Sequence, residues 1–100
     1  MTAIRVDPEG EEIGLLLRSA PSLAGARVLE VGCGDGRLTR LYAHRAGSVL
    51  AIDPDPERIA AARALGGVSD DHVEYRAASV LDASIAAERP FNLAILSWSL

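Results

Sequence analysis

The stretch from Arg27 to Thr39 reads Arg-Val-Leu-Glu-Val-Gly-Cys-Gly-Asp-Gly-Arg-Leu-Thr, and it restricts the fold more than any other part of the chain. Val28, Leu29 and Val31 are β-formers bounded by a loop signal, which predicts a buried strand. Gly32, Gly34 and Gly36 predict the turn beyond it, and a helical pattern follows. Three glycines so close together cost backbone entropy, which a chain keeps where the backbone takes positive φ or lies against a ligand. A ligand-binding turn is the leading reading; a plain strand-to-helix turn packed tightly on a sheet is the alternative.

A second apolar run, Ser48 to Asp53, ends in a carboxylate 17 residues after Gly36. In a doubly wound sheet an acid at about this distance stands at the end of the neighbouring strand, where it can accept hydrogen bonds from ribose hydroxyls. The spacing Gly-x-Gly-x-Gly differs from the Gly-x-Gly-x-x-Gly of dinucleotide sites, and Glu30 stands two residues before the first glycine. A carboxylate there repels a pyrophosphate and suits a ligand carrying an ammonium and a sulfonium.

On these residues the chain resembles the class I S-adenosylmethionine-dependent methyltransferases. Glu30, Gly32, Gly34 and Gly36 match the family's first motif, Glu/Asp-x-Gly-x-Gly-x-Gly, and Ala-Ile-Asp-Pro-Asp-Pro-Glu resembles its second. The resemblance implies a Rossmann-like, three-layer parallel sheet. This chain would cover roughly the first half of the family's 3-2-1-4-5-7-6 order: a partial domain over residues 1–100, truncated after the fourth strand, in the order 3-2-1-4.

Further roles are implied by the same resemblance. Backbone from Gly32 through Cys33 and Gly34 to Gly36 would line the methionine portion of the cofactor, with Glu30 near its amino group. Asp53 would bind the ribose hydroxyls, or be a solvated strand-end carboxylate. Pro54 would lie by the adenine face. The adenine-edge acid of the family aligns better with Ser79 than with Asp82, so which of the two contacts adenine stays open, and Asp82 also reads as a helix cap. Ser97, at the end of the fourth strand, would face the sulfonium, while Ser97 and Ser99 equally suit a plain polar loop. The implied reaction is methyl transfer to an unidentified small-molecule acceptor, with no catalytic base assignable; a noncatalytic or partner-dependent cofactor-binding half is the alternative. A nicotinamide-dependent oxidoreductase is disfavoured by the glycine spacing and Glu30.

Composition narrows the classes further. The 100 residues are 49% hydrophobic with a formal charge of −4, enough for one small core. All ten basic residues are arginines, dispersed along the chain, so no basic stripe follows a phosphate backbone and a nucleic-acid partner is not indicated. Without lysine there is no P-loop lysine and no Schiff-base chemistry in this chain. No apolar run approaches the ~18 residues of a membrane span and the N-terminus lacks a signal pattern, so a cytoplasmic protein without membrane association is expected. Cys33, the single cysteine, reads as a small packing residue in the turn, and no metal site is indicated.

Elsewhere, Asp7-Pro8 predicts a helix opening, with Ile13, Leu16, Leu17 and Ala20 on one apolar face and Pro21 as its end. A second helix is expected from Gly36 to Gly47, with Leu38, Leu41, Tyr42 and Arg45 on its inner face and His44 solvated. Asp55 and Pro56 open a third helix through Leu65, closed by Gly66 and Gly67. Strands are expected at His72 to Ala77 and Phe91 to Ser97. Right-handed crossovers place the helices that follow the first two strands on one face. The other face is left to Ala78 to Pro90, where Ile85-Ala86-Ala87 is the sole helical stretch. That face should be thinly covered. Phe91 to Leu100 would then be an unpaired apolar edge open to self-association, with Trp98 partly exposed.

Overall fold

The computed structural model describes residues 2–6, 23–65, 71–88 and 90–97. Five parallel strands form one sheet: β1 (Thr2–Val6), β2 (Arg27–Val31), β3 (Ser48–Asp53), β4 (Val73–Ala77) and β5 (Leu93–Ser97), in the order β1-β5-β2-β3-β4. Among the described residues three helices lie between them: α1 (Arg37–Tyr42), extended by a 3-10 turn at Ala43–Arg45, α2 (Pro56–Leu65) and α3 (Ala83–Ala86). The order β4-β3-β2-β5 is the one expected for four strands.

The fifth strand is the main correction. Thr2–Val6 pairs with the full length of β5, from Thr2 against Leu93 to Val6 against Ser97. β5 is therefore an interior strand, paired with β2 on its other side, and the expected open edge at Phe91 to Leu100 is filled. Self-association through that edge loses its basis. Thr2, Ile4 and Val6 are β-branched and suit a pleated surface, and the unpaired N–H and C=O groups along β5 give such a segment a ready partner.

Side chains alternate between the two faces of the sheet as the period of two requires. Val28, Val49, Ala51, Tyr75, Leu93 and Ile95 pack on one face with Tyr42, Ala43, Ile59 and Ala62, so α1 and α2 share this side. Leu29, Leu50 and Ile52 point to the other face and meet Ala78, Ile85 and Phe91, with Val31 partly buried among them. Ile85 is the buried anchor of a single-turn α3. Among the described residues this second layer is thin: Leu96 is 42% exposed.

The helix after the glycine turn is shorter than its pattern. Only Arg37–Tyr42 is α-helical, and the next three residues tighten into a 3-10 turn that ends with extended Ala46. The chain must close there, because Gly47 and Ser48 N–H both donate to the Ala26 carbonyl to start β3. The inner face is centred on the residues that meet Glu30: Tyr42 and Thr39 are buried with Leu38 beside them, whereas Leu41 is 53% exposed and Arg45 is exposed. His44 is solvated. α2 runs over its expected bounds, with Glu57 N–H donating to Asp55 Oδ1 at 2.9 Å. The strands expected from His72 and Phe91 start at Val73 and Leu93. The helix expected over 7–20, the Gly66-Gly67 stop, Trp98 and Ser99 lie outside the described residues.

Candidate functional site

The carboxyl ends of β2, β3 and β5 meet at the glycine turn, and this is where the acidic and polar side chains converge. Gly32, Gly34 and Gly36 all have positive φ, at 80°, 58° and 83°. Space forbids a side chain at two of them as well. A Cβ on residue 32 would run into the carbonyl oxygen of Ser97, and one on residue 36 would lie 3.0 Å from the ring and hydroxyl of Tyr75. The turn thus holds its backbone against β5 on one side and β4 on the other. It is pinned to β3 as well, since Gly32 and Cys33 N–H both donate to the Ile52 carbonyl, at 2.9 and 3.0 Å.

Asp53, at the end of β3, is buried and not a solvated strand-end group. Its Oδ2 accepts from Gly34 N–H at 3.0 Å and its Oδ1 from Asp55 N–H at 2.9 Å. A carboxylate has about four lone-pair sites, so each oxygen keeps one acceptor position beyond these bonds. Asp53 therefore joins the glycine turn to the start of α2 and can still accept from a ligand.

Glu30 has no exposed surface. It points toward α1, where Thr39 Oγ1 and Tyr42 Oη donate to its Oε1 at 2.6 and 2.7 Å. The Ser97 hydroxyl lies 3.0 Å from Oε2, 2.9 Å from the Gly32 carbonyl and 3.2 Å from the Val31 carbonyl. Burial pushes the Glu30 carboxyl above the ordinary carboxylate range, and the three hydroxyls offset part of that rise. Burial, then the neighbouring Glu30, push Tyr42 up, and burial, then Glu30 and Asp53, do the same to Cys33. The Cys33 thiol is a buried packing group, 3.7 Å from the Gly34 carbonyl.

The remaining predicted residues form an outer rim. Pro54 is exposed beside Asp53. Ser79 is exposed and its hydroxyl accepts from Leu81 N–H at 3.2 Å. Asp82 caps α3 through Ser84 N–H at 2.9 Å, and that bond holds its carboxyl below the ordinary range. Between the turn and α2 opens a cleft of about 440 Å³ lined by Asp35, Asp55, Glu57, Arg58 and Ala61. The structure brings Glu30, the glycine turn, Asp53 and Ser97 into one bonded cluster and leaves Pro54, Ser79 and Asp82 on its rim. Thr39, Tyr42 and Tyr75 were not foreseen. The signal for the first two was Glu30 itself: a buried carboxyl needs donors, and Thr39 and Tyr42 stand three apart on the facing helix.

Residues 28–100 match the model of a methyltransferase domain. The chain belongs to the class I S-adenosylmethionine-dependent methyltransferases. S-adenosylmethionine is the cofactor this family uses. The methyltransferase chain is 44% identical over 71 residues to a ubiquinone biosynthesis O-methyltransferase of Xylella fastidiosa, a match covering 71% of this chain and 29% of that one. It is 49% identical over 67 residues to the protein of the same name from Xanthomonas oryzae, covering 67% and 27%. The chain thus spans under a third of the length of these relatives. Among solved structures, an S-adenosylmethionine-dependent methyltransferase from Mesorhizobium loti aligns with a TM-score of 0.67 at 31% identity, over 89% of this chain and 40% of the other. No helix among the described residues is long and apolar enough to cross a membrane.

Proposed function

We propose that residues 1–100 form the cofactor-binding part of a methyltransferase that moves a methyl group from S-adenosylmethionine to a hydroxyl of a small molecule. The observation that carries this reading is the glycine turn: three positive-φ glycines, two closed to any side chain, with a buried acid on either side. The residues fit the cofactor. Backbone from Gly32 to Gly36, Cys33 included, would line its methionine portion, Asp53 would accept from the ribose hydroxyls with its remaining lone pairs, and Pro54 would lie by the adenine face. Ser79 or Asp82 would take the adenine edge, each already accepting a backbone N–H, from Leu81 and from Ser84. Ser97 would stand by the reacting end. The hydroxyl acceptor follows the relatives' printed name, O-methyltransferase.

When bound, the cofactor supplies an activated methyl group on a sulfonium. The chain's own part is to hold and align, and alignment can contribute about 7–11 kcal/mol to such a displacement. Glu30 and Ser97 keep the end of β5 against the turn, and Asp53 keeps β3 against it, so the parts that would contact the cofactor form one rigid unit. The reading places the reaction in the cytoplasm, a reducing compartment in which a free thiol such as Cys33 persists. Calorimetric titration with S-adenosylhomocysteine, with NAD as control, tests it. Saturable binding of the first alone is expected, and binding of NAD instead would refute the assignment.

A further inference from the structure

Glu30 stands where no ligand can touch it. It has no exposed surface, and neither do Thr39 and Tyr42, whose hydroxyls donate to its Oε1 at 2.6 and 2.7 Å. Its other oxygen, Oε2, lies 3.0 Å from the Ser97 hydroxyl, and Ser97 is the one member of this cluster that is partly exposed. Whatever a ligand at the glycine turn senses of Glu30, it senses through Ser97. The closeness of Glu30 to the cofactor's amino group that the family resemblance implies is therefore not a direct contact.

A serine hydroxyl can meet a ligand in two ways. Having one hydrogen and two lone pairs, it can donate to a carboxylate or accept from an ammonium, and the amino-acid end of S-adenosylmethionine carries both groups. The Ser97 hydrogen has three oxygens in reach: Glu30 Oε2, the Gly32 carbonyl at 2.9 Å and the Val31 carbonyl at 3.2 Å. Val31 belongs to a strand paired on both sides, and Gly32 has another partner. A carboxylate is the strongest acceptor of the three, and once buried it needs a donor on Oε2 as well as on Oε1. The hydrogen of Ser97 thus goes to Glu30. What Ser97 has left for a ligand is its lone pairs.

We infer that Glu30 is a positioning residue that acts through Ser97. By holding the Ser97 hydrogen it keeps the Ser97 oxygen an acceptor, and so selects the ammonium over the carboxylate as the end of the ligand's amino acid received there. This rests on the turn binding S-adenosylmethionine or its product. The ammonium is separated from the sulfur by a short carbon chain, so a residue beside the reacting end is within its reach. Thr39 and Tyr42 serve the same purpose from α1: with both donating to Oε1, the carboxylate cannot turn Oε2 away from Ser97.

Affinities of the intact chain for two ligands test this: S-adenosylhomocysteine and its desamino analogue, which keeps the thioether and the carboxylate. Calorimetric titration of the natural chain should favour the first by about tenfold or more, the scale of a hydrogen bond to a charged group. Ser97→Ala should remove most of that preference, and Ser97→Thr, which keeps the hydroxyl, should retain it. In Glu30→Gln the amide oxygen stays with Thr39 and Tyr42, so the amide N–H faces Ser97, donates to it and turns its hydrogen outward. The preference should fall there as far as in Ser97→Ala, and the double variant should show no further fall.

A merely structural role for Glu30 would weaken both ligands alike, and an unchanged ratio in Glu30→Gln overturns the inference. A ratio that falls again in the double variant also overturns it, because Glu30 would then act without Ser97. Should Glu30→Gln fail to fold, Ser97→Ala still decides, since an unchanged ratio there removes Ser97 as the acceptor. A natural chain that binds S-adenosylhomocysteine with no preference over the desamino analogue refutes this inference alone. A folded natural chain that binds neither refutes the cofactor reading, and the inference with it.

Discussion

At the carboxyl ends of the strands, Glu30 and Asp53 are buried and bonded to hydroxyls and backbone N–H groups; toward the amino ends, Arg27, Glu74 and Glu88 form partly exposed ion pairs, with Arg76 reaching back to Glu74 and Glu88 from near the end of β4. Both ends have a cleft. The one at the amino ends, about 270 Å³, is lined by Arg27, His72, Glu74 and Glu88 among others. The difference lies in what water can reach. Arg76 bridges Glu74 at 2.7 Å and Glu88 at 3.3 Å, and Arg27 stacks over Phe91 of the second layer at 5.0 Å. Charges in solvent gain little from pairing, whereas a buried acid must be bonded and is therefore fixed in place. Fixed acids beside a turn of positive-φ glycines are the makings of a binding site.

The comparison can be broken most severely at the turn. Gly32→Val should lower unfolding free energy by about 3 kcal/mol or more, because it combines a left-handed backbone with a collision at the Ser97 carbonyl. Urea unfolding measures this, and a loss under about 1 kcal/mol would mean that the turn relaxes freely. Next in size, Asp53→Ala should weaken S-adenosylhomocysteine binding by about 1.5–3 kcal/mol, the scale of a hydrogen bond to a charged group. Unchanged affinity in the calorimeter would take Asp53 out of the site.

Tyr42→Phe, which leaves Glu30 Oε1 with one donor, should cost about 1–2 kcal/mol of stability. The pH dependence sharpens the same point. Glu30 binds its proton more tightly folded than unfolded, so its favourable contribution is whole below the ordinary value of 4.5. It is lost as pH rises from there through the raised value. Stability of the natural chain should fall across that window and that of Glu30→Gln should not, as urea midpoints between acid and neutral pH will show. Smallest of all, Glu88→Ala at the amino ends should change stability by only about 0–1 kcal/mol, and less in high salt. A large, salt-insensitive loss there would erase the contrast between the two ends.

Much of this was legible along the chain. The glycines, Glu30 and Asp53 identify the turn and its two acids because each answers a local demand: positive φ, a strand's inward face, a strand's end. The bounds of β3 and α2 were equally local, set by an apolar run and by the Asp55-Pro56 opening. Thr2–Val6 was not legible as a strand of this sheet, since five residues, three of them β-branched, become a strand only where a partner edge is free. Leu41 followed the helical period and still faces water, because the buried face of α1 is centred on Thr39 and Tyr42, which donate to Glu30.

The sequence by itself determined the family, the strand order β4-β3-β2-β5 and the residues of the turn, for those depend on spacing and on backbone sterics within a few positions. Only the tertiary structure decided what the acids do. It seals Glu30 among hydroxyls from α1 and β5 that lie 9, 12 and 67 residues away, and it ties Asp53 to Gly34 across 19. A carboxyl group's proton and partners are set by the dielectric and the donors around it, and those exist only once the strands have met.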